Sequence, residues 1–361
     1  MDSRRTYWGL LVAIGVSFIA SGCADNGSSN ENGVVDLEDD LDSDTSDEKD
    51  EASDTSVEHD GTESTDTADN NNTEGHWSAL CADDDRIGSF DLFTVRGDES
   101  DYTKFYGTIY ESVTPASVPE LLMDEGQCVL VGPRNPFCDP GCTGGEECGL
   151  DGACHPKPLK KSVGTVTVTG MDVAVSLSPR PIILEYSQQF SDPFPGFTAN
   201  STLTMVAEGD ELDGFTLETN GVELLTSELS LLSIESGVPA LVKWDPPTHP
   251  SDGDYVHLEL NVNTHGALLG WVECAVSDTG SFEIPESLVS KMITLGMSGF
   301  PKLVISRRNS NLTSLSEGCV EFTTKSDLTV DVEIPGLNSC KGNADCADGE
   351  TCSAELVCEK L

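Results

Sequence analysis

"YVHLELNVN", Tyr255 to Asn263, sets Val256, Leu258, Leu260 and Val262 on one side of an extended chain. His257, Glu259 and Asn261 fall on the other. A period of two marks a strand with one face in a core and one in water. The reading therefore puts His257 on a solvated face. The same alternation recurs in "TVTVT" (165–169), "DVAVSLS" (172–178), "STLTMVA" (201–207), "KLVIS" (302–306) and "LTVDVEI" (328–334), with Gly, Pro, Asn and Asp between the runs. Short strands with one apolar face bury it by pairing sheets. The expected class is mostly β, an antiparallel β-sandwich.

"LVKWDPP" (241–247) resembles the strand-plus-proline boundary of immunoglobulin-like modules. That resemblance implies that Trp244 fills the space between sheets, while the prolines stop the strand. One helix is expected from Pro285 and Glu286 through Leu288, Met292 and Leu295, ended by Gly296.

Thirteen cysteines punctuate the chain. The pattern C-x2-GE-x-C-x5-C occurs twice, at Cys142–Cys154 and Cys346–Cys358, each preceded by one more cysteine, Cys138 and Cys340. Segments this small cannot bury a core and need covalent staples. Three pairings are open in each; first to third and second to fourth is expected, giving Cys138–Cys148, Cys142–Cys154, Cys340–Cys352 and Cys346–Cys358. Spacings of five suit zinc badly, because its ligand pairs sit two to four residues apart. Order along the chain suggests Cys81–Cys128 and Cys274–Cys319 for the rest, with swapped pairings left open. The modules resemble EGF-like and Dickkopf-type cysteine-rich domains.

One cysteine then stands alone. Arg4 and Arg5 precede a short apolar run, Tyr7 to Ala20, then Ser21, Gly22 and Cys23. The run is too short to span a bilayer and suits a signal-peptide core. "FIASGC" resembles the lipobox of bacterial lipoproteins, which implies cleavage before Cys23 and lipid on its sulfur. Removing Cys23 leaves twelve cysteines, an even number for an oxidising compartment. Residue 24 is Ala rather than Asp, which by resemblance to enterobacterial sorting implies the outer membrane. With the tether, sandwich and cysteine modules, the whole resembles a class of Gram-negative surface lipoproteins.

Residues 24–76 hold nineteen Asp or Glu against one Lys, with no apolar period. Such a segment cannot offset chain entropy and is expected to be a disordered tether. No stretch fits an EF-hand loop. The whole chain carries −45, which excludes nucleic acid as a partner, since phosphates reward basic patches.

Motifs for chemistry are sparse. "SDTGSF" (277–282) resembles the aspartic-protease loop, whose paired carboxylates share a proton. It occurs once and reads equally as strand, turn and strand. An enzyme using Asp278 is therefore the minor alternative. No His pair spaced for metal, Walker loop or nucleophile elbow appears, so no cofactor, metal site or catalytic residue is expected. Arg307 and Arg308 read as a salt-bridged strand end. "DYTKFYGTIY" offers Tyr102, Phe105, Tyr106 and Tyr110; Tyr102 and Tyr106 are the expected ligand contacts, with strand packing expected for at least two of the four.

The expected order is a signal peptide (1–22), tether (23–76), N-terminal strands (77–137), an inserted disulfide-rich module (138–157), the sandwich body (158–336) and a C-terminal module (337–361). The expected role is non-catalytic binding or display of an unknown protein or glycan. The protein would be anchored by lipid in the outer membrane, on its periplasmic or outer face. A structural spacer is the other alternative.

Overall fold

A computed structural model describes residues 77, 80–96, 100–262 and 269–361. The leader, Cys23, the acidic run to His76 and His265 lie outside the described residues.

The strands in chain order are β1 (Arg86–Val95), β2 (Tyr102–Ile109), β3 (Glu120–Asp124), β4 (Cys128–Gly132), β5 (Glu146–Cys148), β6 (Cys154–Pro156) and β7 (Val166–Thr169). Then come β8 (Val175–Leu177), β9 (Tyr186–Phe190), β10 (Thr202–Ala207), β11 (Phe215–Asn220), β12 (Leu231–Ser233), β13 (Ala240–Lys243) and β14 (Tyr255–Asn261). The last are β15 (Trp271–Ser277), β16 (Ser281–Ile284), β17 (Lys302–Ser314), β18 (Cys319–Glu333), β19 (Glu350–Cys352) and β20 (Cys358–Lys360). One helix, α1, spans Glu286–Leu295 after Pro285; it buries Leu288, Val289 and Met292 and stops at Gly296, whose φ of 133° favours glycine.

A ten-stranded sheet runs β3-β4-β15-β14-β17-β18-β1-β2-β9, with β12 beside β18. Most pairs are antiparallel, but β1 and β12 each join β18 in parallel. The N-terminal strands thus share the sheet of the C-terminal ones. A four-stranded sheet, β11-β10-β7-β8, forms the second layer.

The long strand β18 organises the core. Its even-numbered residues Val320 and Phe322 enter one apolar cluster with Phe90, Phe105, Tyr186 and the four-stranded sheet's Val166, Val168, Leu203 and Met205. Further along the same face, Val330 and Val332 enter a second cluster, with Leu258, Leu260, Trp244, Val242 and the helix residues Leu288 and Met292. Both clusters therefore lie on one face of the large sheet. At Gly107 the Phe90 ring covers the backbone, so an added Cβ would stand 2.1 Å from Phe90 Cδ1.

Each cysteine module is a small hairpin, β5-β6 or β19-β20, held by two bridges. Their bonds are Cys138–Cys148, Cys142–Cys154, Cys340–Cys352 and Cys346–Cys358. The strands flanking the first module, β4 and β7, belong to different sheets, so that module lies on the crossover between layers. The expectation for the other four cysteines is corrected: the bridges are Cys81–Cys319 and Cys128–Cys274. Strand pairing decides this, not chain order. β15 lies against β4 with Cys274 opposite Cys128. The Cys319 N–H donates to the Asp85 carbonyl at 2.8 Å, which brings the start of β18 beside the segment that carries Cys81.

Candidate functional site

Between the two clusters, the covered face turns polar. Arg307 of β17 is 1% exposed there and bonds Asp278 through Nε at 2.5 Å. Its other nitrogens donate to the carbonyls of Glu223 and Asp245, at 3.2 and 2.7 Å. The Trp244 indole N–H donates to Asp278 at 2.6 Å. Asp278 is thus a buried counter-ion with its oxygens committed. It heads the turn between β15 and β16, and it does not line the nearby groove formed by Trp244, Pro246, Thr279 and Ser281. Its side-chain hydrogen-bond partners among the described residues are Arg307 and Trp244, neither of them a carboxylate. Of the expected salt-bridged strand end, the ion pair is present at Arg307, but the placement is corrected: Arg307 and Arg308 lie within β17, pointing to opposite faces of the sheet.

The other face of the large sheet carries the odd-numbered side chains of β18, Glu321, Thr323 and Lys325, and those opposite them on neighbouring strands. No apolar cluster packs there among the described residues. Trp77 and residues 80–86 lie over part of this face and leave a hollow of about 530 Å³. Its lining includes Trp77, Trp271, His257, Glu259, Glu273 and Arg308.

Pleating puts these groups together. Glu259 of β14 sits directly opposite Glu273 of β15, and Trp271 follows two positions away on the same side. The Trp271 indole N–H donates to the Glu273 carboxylate. His257 Nε2 stands 3.5 Å from the other Glu273 oxygen. Trp77 meets the His257 ring edge-on, with centroids 6.4 Å apart. Arg308 Nε donates to Ser306 at 2.9 Å. Arg86 links Asp83 at 2.6 Å to Glu321 at 3.6 Å, and Lys325 stands 3.2 Å from Asp91.

Burial sets the protonation states. It pulls the His257 imidazole down to about 4, and the Arg308 charge adds to the effect, so the ring is neutral at pH 7. This corrects the expectation of a solvated histidine: the Trp77 segment covers the strand's outer face. Its Nδ1 is buried with no partner. Burial pushes Glu259 up, and the Glu273 charge pushes it further. Burial also raises Asp83 and Glu321, with Arg86 opposing. Burial opposes ionisation of Glu273 too, but hydrogen bonds from His257 and Trp271 hold its carboxyl below the usual range.

Of the four candidate aromatics, Phe105 is core. Tyr110 is half-buried and bridges to Lys160. Tyr102 and Tyr106 are half-buried on the open face, but neither lines the hollow. Tyr106 stands beside it, opposite Asp91, with Lys104 5.4 Å over its ring. The hollow is lined instead by Trp77, Trp271, Glu259 and Arg308, which lie outside the tyrosine-rich stretch. The signal for Trp271 and Glu273 was present in "WVECAV", where they alternate with Val272 and Cys274.

Among the described residues, the sets of three His, Cys, Asp or Glu ligand atoms within 4.8 Å of one another are Cys138, Cys142, Cys154 and Cys340, Cys346, Cys352. All six of these sulfurs are in disulfides. No described helix is long and apolar enough to cross a membrane.

No family model matches the chain, and no curated protein matches it. A solved chain described under "Structural insight into host cell surface retention of a 1.5-MDa bacterial ice-binding adhesin" is similar at 12% identity, over 73% of this chain and 74% of that one. The TM-score is 0.17, too low to indicate a common fold.

Proposed function

We propose that the protein is a binding module of the bacterial cell surface, non-catalytic and held to the outer membrane by lipid on Cys23. The hollow on the open sheet face carries the reading. It is a recess of small-ligand size in which two tryptophans stand among many polar and charged groups, and it can take a small ligand or a short stretch of a larger one. The sequence adds the anchor: a lipobox-like "FIASGC", then an acidic run that would extend by self-repulsion and hold the body off the membrane. Binding rather than catalysis is favoured by Asp278, whose oxygens are taken up by Arg307 and Trp244.

Two measurements on living cells test this. Labelling with an alkyne fatty acid should mark the wild type and not the Cys23→Ser variant. Surface biotinylation should reach the folded body in intact cells. A wild-type chain without label, or one shielded until the cells are broken, would contradict the anchor or the placement. A body that bound nothing through the hollow would leave a structural spacer.

A further inference from the structure

Resting on the reading of the hollow as a binding site, we infer that its ligand is a neutral, hydroxyl-rich ring: a sugar unit of a glycan. Charge is the first argument. The lining interleaves five carboxylates, Asp83, Asp91, Glu259, Glu273 and Glu321, with three cations, Arg86, Arg308 and Lys325. An anion would face the five acids in a half-buried space. An organic cation would face Arg308, whose charge acts on His257, Glu259, Glu273 and Glu321 alike. Nor do three of these carboxylate oxygens and imidazole nitrogens converge within 4.8 Å, so the acids do not form a cage for a metal ion.

A hydroxyl group avoids both penalties. It donates to a carboxylate and accepts from a guanidinium at once, and it brings no charge into the recess. Glu259 is free for this part: no hydrogen bond reaches its carboxyl among the described residues, yet it lines the hollow and burial raises its pKa. An unmet polar group in a partly buried wall is where a ligand hydroxyl gains most.

The tryptophans supply the other half. Trp77 and Trp271 give the polar wall two broad apolar surfaces. A sugar ring has the matching character, with C–H groups on its faces and hydroxyls around its rim. The Trp271 N–H is already held by Glu273, which fixes the indole in place before a ligand arrives. A volume of about 530 Å³ falls inside the range of about 300–1,000 Å³ usual for small-ligand sites.

The test uses the full chain in a detergent without a sugar headgroup. An array carrying neutral and acidic glycans is screened first, and calorimetry then measures the best neutral glycan, with oligogalacturonate and spermidine as charged probes. A neutral glycan should bind, and Trp271→Ala and Glu259→Gln should each weaken it at least about tenfold. Phe137→Ala, a change at a side chain 79% exposed and outside the hollow, should leave it unchanged. Should Trp271→Ala not fold, Glu259→Gln decides, since it removes no packing. Binding of charged probes alone, no glycan binding, or glycan binding indifferent to Glu259→Gln would each overturn the inference. A protein ligand lost in Glu259→Gln, with no glycan bound, would overturn the sugar and keep the site. Indifference of every ligand to the hollow variants would remove both.

Discussion

Arg307 Nε lies 2.5 Å from Asp278 Oδ2, with the two side chains 1% and 3% exposed, in the polar gap between two apolar clusters. Removing one partner would leave the other charge buried alone, at a cost of about 3–5 kcal/mol. Asp278→Ala is therefore expected to lower the urea midpoint sharply. The double variant Asp278→Leu/Arg307→Met should lose less than Asp278→Ala does, because no bare charge remains. Equal stability of Asp278→Ala and wild type would mean that the pair does not hold the gap together.

This pair also shows how far the sequence could be read. The strands, the helix and the Asp-Thr-Gly turn follow from local alternation and punctuation, which need only neighbours in the chain. What Asp278 touches does not, since Arg307 and Trp244 reach it from other strands. The same limit explains the corrected disulfides, where β15 on β4 and β1 on β18 are pairings that chain order cannot supply. His257 follows the pleat as expected but is covered by a segment from far upstream. Trp271 and Glu273 were legible as outward residues; that they share a hollow with Trp77 and Arg308 was not.

The long-range bridges make a direct prediction. Digestion without reduction, followed by mass spectrometry, should return peptides joined through Cys81–Cys319 and Cys128–Cys274. A peptide joining Cys81 to Cys128 would contradict the sheet order itself. Replacing both Cys128 and Cys274 by Ala should cost about 2–5 kcal/mol.

His257 predicts the acid limb of the stability curve. Its imidazole falls to about 4 in the folded chain, so the unfolded chain binds the extra proton first. The stability this residue contributes is complete above its ordinary value of 6.5 and is lost as pH falls through that value towards 4. Glu273, held low, acts in the same direction at lower pH, whereas the raised Asp83, Glu259 and Glu321 oppose it. Arg308 and Lys325 line the same hollow. Between pH 6.5 and 4.5, the urea midpoint of the wild type should fall more steeply than that of His257→Gln. Parallel curves would show that the ring is not buried.

Gly107 tests the packing of the sandwich. An added methyl would press on the Phe90 ring, so Gly107→Ala should cost about 1–3 kcal/mol. Gly141 has nothing within 4 Å of its would-be Cβ, and Gly141→Ala should be nearly neutral. Similar urea midpoints for the two variants would contradict the close approach of β1 and β2.

The central claim is that ligand enters the hollow on the open sheet face. Of the chain's four tryptophans, Trp77, Trp244 and Trp271 lie beyond the leader that cleavage before Cys23 would remove, and their indole N–H signals can be followed one by one by NMR and assigned by Trp→Phe substitution. On titration with a neutral glycan that binds, the signals of Trp77 and Trp271 should shift, while that of Trp244, buried and bonded to Asp278, should stay. Saturation of the protein with Trp77 and Trp271 unmoved would place the ligand elsewhere and contradict the account.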